Sequence, residues 1–308
     1  MDVCVIGGSR HFGRRLIEEL RDGGATVTVV NRGSTPPPPG VTHLLADRDD
    51  ERALHTALAD RHFDTVVDQV CYTPRQAAIA TRVFADRTRR YVLTSTVEVY
   101  AETGRPGGPA LTESAVDPAT QQIDLELPWH EQQFIADHYG EGKRQAEALL
   151  TRQAPFDTAL VRTAHVLGGA DFTGRLAHYV RRIEAGLPVA VHPAPQPASF
   201  VHAPEIARFL AFTATADFTG PVNAASHGPL DAHELSAAIA RELGTRTEPV
   251  AAADVAVDVA VDAETDALFS PFSFDRCYAM DTTRAAGLGF RFSPVADWLP
   301  QAVREARA

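Results

Sequence analysis

The chain has 308 residues, 44% of them hydrophobic and 22% charged, enough to bury a substantial core as one large or two coupled domains. A formal net charge of −11 argues against a protein whose main partner is nucleic acid or an anionic membrane, since either calls for a broad basic face. The three cysteines, Cys4, Cys71 and Cys277, lack CxxC spacing, so neither a disulfide framework nor a metal site is expected, and with no basic leader or apolar run of ~18 residues the expected location is the cytoplasm.

The first element is a strand over residues 2–6 (DVCVI), then a helix over 12–20 with Leu16, Ile17 and Leu20 on one face, then a strand over 26–31 (TVTVVN). Strand, helix, strand is a βαβ unit. The four prolines Pro36, Pro37, Pro38 and Pro39 read as a solvated turn after it. The alternation continues with strand 42–46 (THLLA), helix 49–59, strand 65–70 (TVVDQV), helix 75–85 and strand 90–95 (RYVLTS). Such a series predicts an α/β fold, a doubly wound parallel sheet of Rossmann type covered on both faces. Over residues 101–127 the pattern gives way to Gly, Pro and Thr across a stretch too long for a bare connection, which predicts an active-site loop. A helix over 130–152 and a strand over 156–162 (FDTALVR) follow. Beyond them the composition changes, with Pro188, Pro193, Pro195 and Pro197 and isolated helices over 204–216 and 231–243. The expected division is a dinucleotide-binding domain over 1–168 and a smaller lobe over 169–308, mainly substrate-binding, with some segments returning to the first domain.

The turn after the first strand reads GGSRHFG, with Gly7, Gly8 and Gly13 flanking Ser9, Arg10, His11 and Phe12. Glycines between a strand and a helix let the backbone approach a pyrophosphate, whose charge then lies at the helix N-terminus. The pattern also occurs in ligand-free tight turns, but its place directly after the first strand favours a cofactor cradle. Arg10 stands where a middle glycine is usual. The second strand ends in Asn31 and Arg32 where an NAD site usually has an acidic residue for the ribose 2′-hydroxyl, and a nearby arginine suits a 2′-phosphate. NADP(H) is therefore favoured over NAD(H), with solvation of Arg10 and Arg32 as the ordinary alternative.

The stretch HYGEGK places Tyr139 and Lys143 one helical turn apart. A neighbouring ammonium is expected to lower the tyrosine below its usual ~10, fitting it for proton exchange near neutrality. Upstream, STVEVY brings Thr96 and Glu98 to the carboxyl edge of the sheet, where doubly wound folds bind ligands.

These stretches, with NRG from Asn31, ADRD from Ala46, VRTAHVLG from Val161, DTTR from Asp281 and GLGF from Gly287, resemble the extended and atypical branch of the short-chain dehydrogenase/reductase superfamily, the NAD-dependent epimerase/dehydratase family. The likeness runs in family order over nearly the whole chain. It implies that Thr96 hydrogen-bonds the reacting oxygen, that Tyr139 is the acid/base, and that Lys143 holds the nicotinamide ribose and tunes the tyrosine. It further implies Asp47 and Arg48 beside the adenine, Gln69, Val70 and Cys71 along the cofactor at the end of the fourth strand, and Thr163, Ala164, His165 and Val166 beside the nicotinamide. Taken alone, Cys71 reads as core and Thr163 as a buried strand end. His165 reads as a satisfied polar residue.

Two departures bear on the reaction. Val97 stands where sugar-nucleotide dehydratases have the acid of Thr-Asp-Glu-Val-Tyr, and a valine cannot deliver a proton; Glu98 remains as a base or as an organiser of the loop. PQPASFVH, residues 195–202, lacks the arginine that nucleotide-sugar enzymes commonly carry there. The leading expectation is thus an NAD(P)-dependent oxidoreductase interconverting a secondary alcohol and a ketone on a small molecule. The alternatives are an epimerase or dehydratase acting on a sugar or nucleotide sugar by internal hydride return, and an idle cofactor- or RNA-binding protein. A homodimer is compatible with each.

Overall fold

The computed structural model describes residues 1–169, 171–246, 249–251 and 268–307. Seven parallel strands form one sheet in the order β10-β6-β5-β4-β1-β2-β3. They are β1 (Asp2–Ile6), β2 (Thr26–Asn31), β3 (Thr42–Leu45), β4 (Phe63–Asp68), β5 (Thr88–Thr96), β6 (Asp157–Thr163) and, after the short strands β7 (His165–Leu167), β8 (Ala190–Val191) and β9 (Phe200–His202), β10 (Gly220–Ala224). The near-continuous Val/Ile/Leu runs follow from burial on both faces. On one face the helices α2 (Glu51–Leu58) and α3 (Pro74–Phe84) cover Cys4, Val66 and Leu93; on the other α1 (His11–Asp22) covers Val5, Val29 and Val67.

The reversal of strand order falls between β1 and β4, and the carboxyl ends of these strands open a crevice there, the usual ligand position of such sheets. The α/β, Rossmann-type expectation therefore holds. β10 was not legible in the sequence, because GPVNA opens with Gly-Pro and carries no strand alternation. It is placed by pairing with β6, from Gly220 opposite Ala159 to Ala224 opposite Thr163.

The single helix expected over 130–152 is instead two, α4 (Gln132–Asp137) and α5 (Tyr139–Gln153), parted at His138 with φ −113° and ψ 28°. Close approach explains the break. A Cβ on Gly140 would lie 2.5 Å from the Glu98 carbonyl, and one on Gly142 2.5 Å from the Tyr72 carbonyl, so α5 must start afresh at the angle that lets these glycines touch backbone. Further along come α6 (Arg175–Glu184), α7 (Ala203–Thr215), α8 (Ala232–Glu242) and a final helix, Val295–Arg307. Among the described residues no helix is long and apolar enough to cross a membrane.

Candidate active site

The glycine turn has the geometry that a pyrophosphate cradle requires. Gly7 and Gly8 adopt φ of 78° and 76°, and a Cβ on Gly13 would lie 2.6 Å from Gly8 Cα. Arg10 is the N-cap residue of α1, and neither a capping side chain nor an acidic residue occupies that first turn, so the positive end of the helix is open to an anion. These residues fit a dinucleotide.

Gln69 and Val70 sit beneath this turn rather than in β4, which ends at Asp68. Val70 packs under Gly7 and Gln69 under Gly8 and Gly13, and Gln69 Nε2 is buried with no partner. Cys71 is fully buried and, like Cys4, free; burial pushes its thiol up to about 11. Asn31 is fully engaged: Nδ2 donates to Ser9 Oγ at 2.7 Å, while Oδ1 accepts from Gly33 N at 2.7 Å and contacts His43 Nε2 at 2.9 Å. Arg10 Nε donates to Thr35 Oγ1 at 2.9 Å, and Arg32 is exposed. Asp47 is exposed and caps Asp49 N, whereas Arg48 turns inward to an ion pair with Asp68 at 2.5 Å that leaves its Nε and Nη1 buried and unpartnered.

Beside the turn lies a cavity of about 680 Å³. It brings together His11, Phe12, Gln69, Thr96, Glu98, Tyr139 and Lys143 with the run Thr163, Ala164, His165 and Val166. Lys143 is 1% exposed; its Nζ donates to the Thr94 carbonyl at 2.7 Å and stands 4.7 Å from the Tyr72 ring centroid and 5.8 Å from that of Tyr139. Thr96 Oγ1 accepts from Glu98 N at 3.2 Å, and Thr96 and Tyr139 line the same cavity.

The electrostatics differ from the expectation. Enclosure in low dielectric raises Tyr139 well above the usual phenol, and the same enclosure drops Lys143 from 10.5 to about 8. Desolvation outweighs the ammonium's influence, because the ammonium is spent on the Thr94 carbonyl and the Tyr72 face. Glu98 is raised by burial, and its Oε2 accepts from Tyr278 OH at 3.2 Å.

His165 is not the satisfied polar residue expected. Its Nε2 is buried without a partner, its ring stacks on Phe274 at 5.1 Å, and burial lowers it to about 3, so the imidazole is neutral. Tyr72, Thr94, Phe172, Arg175 and Tyr278 went unread in the sequence. Tyr72 lies just past the β4 end and was within reach of that signal; Arg175 and Tyr278 are brought in by tertiary packing alone. Among the described residues no group of three His, Cys, Asp or Glu side chains is arranged to hold a metal ion.

The profile of the NAD dependent epimerase/dehydratase family matches residues 3–225. Curated proteins gave no match. A UDP-glucose 4-epimerase from Thermotoga maritima, solved with UDP-glucose, superposes with a TM-score of 0.71 at 17% identity, covering 100% of this chain and 99% of that one. A dTDP-glucose 4,6-dehydratase from Bacillus anthracis in complex with NAD gives 0.72 at 14% identity, covering 100% and 96%. A UDP-N-acetylglucosamine 4-epimerase from Methanobrevibacter ruminantium, bound to UDP-N-acetylmuramic acid, gives 0.70 at 16%, covering 99% and 96%. At these identities the likeness is one of fold.

Proposed function

The chain belongs to the NAD dependent epimerase/dehydratase family, and from that premise we propose that it oxidises a secondary carbinol of a small hydroxylated molecule and returns the hydride within the same turnover, as an epimerase does. The observation that carries this reading is that Thr96, Tyr139 and the buried Lys143, its Nζ 5.8 Å from the Tyr139 ring centroid, share one cavity with His11 and Phe12 of the glycine turn. When bound, the nicotinamide would supply the hydride acceptor and donor and, oxidised, a positive charge. We assign its pyrophosphate to Gly7 through Gly13, its ribose to Lys143 and its adenine to the neighbourhood of Asp47.

Thr96, on the same cavity as Tyr139, holds the substrate oxygen. Tyr139 passes its proton to that oxygen as a ketone is reduced and takes it back as an alcohol is oxidised. In the cofactor-free chain the phenol is fully protonated, so it is poised as an acid, and its role as a base depends on added positive charge nearby. Lys143 orders Thr94 and keeps a cation within reach of the phenol. Glu98, raised by burial and held by Tyr278, is a further proton acceptor on the same cavity. Dehydration is disfavoured, because Val97 offers no acid.

Net reduction with NADP(H) is the second reading, supported by Asn31 and Arg32 in place of an acidic strand end. One measurement separates the two. Under internal return, substrate is converted by protein carrying a single equivalent of oxidised cofactor and a C–D label on the carbinol is retained. Conversion that consumes one reduced cofactor per product would establish the second reading instead.

A further inference from the structure

The cavity wall also includes Phe172, Thr173 and Arg175, which follow β7. Arg175 opens α6, a 10-residue helix whose N-cap, Gly174, has no side-chain cap, and apart from a long 3.4 Å bond from Arg175 N to Thr173 Oγ1 the positive end of that helix lies beside the guanidinium. The guanidinium stands 5.1 Å from the Phe272 centroid, and Phe272 is in turn 5.4 Å from His165. Stacking on a ring face engages the plane of the guanidinium and leaves its edge N–H groups for other partners. Within the chain Nε reaches only Thr173 Oγ1, at 3.2 Å, and among the described residues no carboxylate forms an ion pair with Arg175. Asp171, four residues earlier, turns instead to Thr173, accepting from its N at 2.8 Å and its hydroxyl at 2.7 Å, and Glu98 on the same cavity feels the guanidinium's charge without an ion pair to it.

His165 supplies an independent sign of a ligand. It is 5% exposed, lines the same cavity, and its Nε2 has no partner. Phe200, Phe272, Phe274 and Tyr278 surround its ring and offer that nitrogen nothing. A buried polar atom left in this way is costly unless a ligand satisfies it. Because burial keeps the imidazole neutral, it can pair with a hydroxyl or carbonyl oxygen without adding charge.

Resting on the assignment of this cavity as the active site, we propose that Arg175, the N-terminus of α6 and His165 Nε2 form an oxyanion subsite, and that the substrate is an acidic, hydroxylated small molecule whose carboxylate or phosphate lies on Arg175. The subsite is separate from the glycine turn, which has its own helix N-terminus. It sets a requirement for charge at a distance from the reacting carbinol, so it discriminates acidic substrates from neutral sugars.

The test titrates protein loaded with NAD⁺ with D-glucuronate, D-glucose 6-phosphate and neutral D-glucose at fixed ionic strength, reading the imidazole ¹⁵N resonances of His165. At least one acid should bind roughly tenfold or more tightly than glucose, a factor of the size that charge-assisted hydrogen bonds supply. Which acid does so tells a carboxylate site from a phosphate site. Arg175→Gln should remove that gap without altering glucose or NADH affinity, and Arg175→Lys should keep most of it. Equal binding of acid and sugar, no binding of either acid, or a gap that persists in Arg175→Gln would overturn the subsite. Binding of NADH and of NADPH is followed separately by fluorescence: the absence of both would sink the functional reading above, whereas intact binding of either with no acid preference sinks the subsite alone.

Discussion

Tyr139 and Lys143 occupy one enclosure and are driven toward their neutral forms by the same low dielectric. For the phenol this is useful, since a protonated acid is what a ketone oxygen meets, and general acid–base catalysis is typically worth ~10²- to 10⁴-fold. Tyr139→Phe is expected to lower turnover by about that factor with cofactor affinity nearly unchanged; full activity in a single turnover would remove Tyr139 from the mechanism. For the lysine the enclosure is a cost. Its folded value of about 8 lies below the unfolded 10.5, so between those values the unfolded chain holds more protons and stability rises with pH, while below about 8 the penalty is fully present. Lys143→Met should therefore stabilise the cofactor-free protein at pH 7 by on the order of 1 to 3 kcal/mol, less the bond lost at the Thr94 carbonyl, while abolishing tight cofactor binding. The gain should shrink by pH 10, and equal destabilisation of the variant at both pH values in thermal melts would contradict the burial argument. Cofactor choice also belongs to this scale. Asn31 is saturated by Ser9, Gly33 and His43, and Arg10 is tethered to Thr35 beside exposed Arg32, which leaves basic groups and no free carboxylate at the end of β2. NADPH should bind more tightly than NADH, with the preference weakened in Arg32→Ala; tighter NADH binding by the unaltered chain would reverse the assignment.

At the level of elements, the site exists because α5 lies against the end of β5 with glycines at its closest points. Alanine at Gly140 or Gly142 would force Cβ to 2.5 Å of a backbone carbonyl, which neither the 3₁₀ turn Val97–Tyr100 nor the Tyr72 loop can yield easily. Overpacking of this kind costs about 1 to 3 kcal/mol, and because it tilts α5 it should displace Tyr139 and reduce activity beyond the loss of stability. Gly287→Ala, at a glycine with nothing within 4 Å of its Cβ position, is the control and should be nearly neutral. If Gly140→Ala melts and turns over like that control, the close approach has no functional weight. The same region shows where sequence reading stops. The pairing of Tyr139 with Lys143 was legible because it depends on helical spacing alone, and β1, β2 and the glycine turn were legible because each is a local pattern. The break at His138 was not, since it is dictated by the carbonyls of Glu98 and Tyr72, residues distant in sequence. Arg175 was invisible for the same reason, and His165, which the resemblance placed beside the nicotinamide, read as satisfied because its lack of a partner is a matter of packing that local pattern does not carry.

Across the whole molecule, the question is whether the nucleotide-binding and substrate-binding regions are separate folding units. The contacts argue for one. A single apolar cluster runs from Val3, Val5 and Val92 of the sheet through Phe200 and Phe209 to Phe272, Trp298 and Val303. Side-chain bonds cross it as well. Asn223 at the end of β10 donates to the carbonyls of Leu111 and Asp281 at 2.8 and 2.9 Å and accepts from Tyr100 OH at 2.8 Å, joining the loop, the sheet and the late chain in one polar node. At the other end of the sheet, Thr65 Oγ1 donates to the Ala214 carbonyl at 2.8 Å and Arg90 donates to the carbonyls of Thr213 and Phe218 at 3.0 and 2.8 Å, so removing the later chain strands polar groups of β4 and β5. We therefore propose that residues 1–168 have no independent stability, although they hold the glycine turn and the sheet around it. Calorimetry should show one transition with equal calorimetric and van't Hoff enthalpies, and a chain truncated after Ala225, where the family match ends, should fail to melt cooperatively because it lacks Phe272, Trp298 and the Asp281 carbonyl. Two resolved transitions, or a truncated chain that still unfolds sharply and binds NADH, would show that the cofactor region folds by itself and that the later chain only completes the cavity.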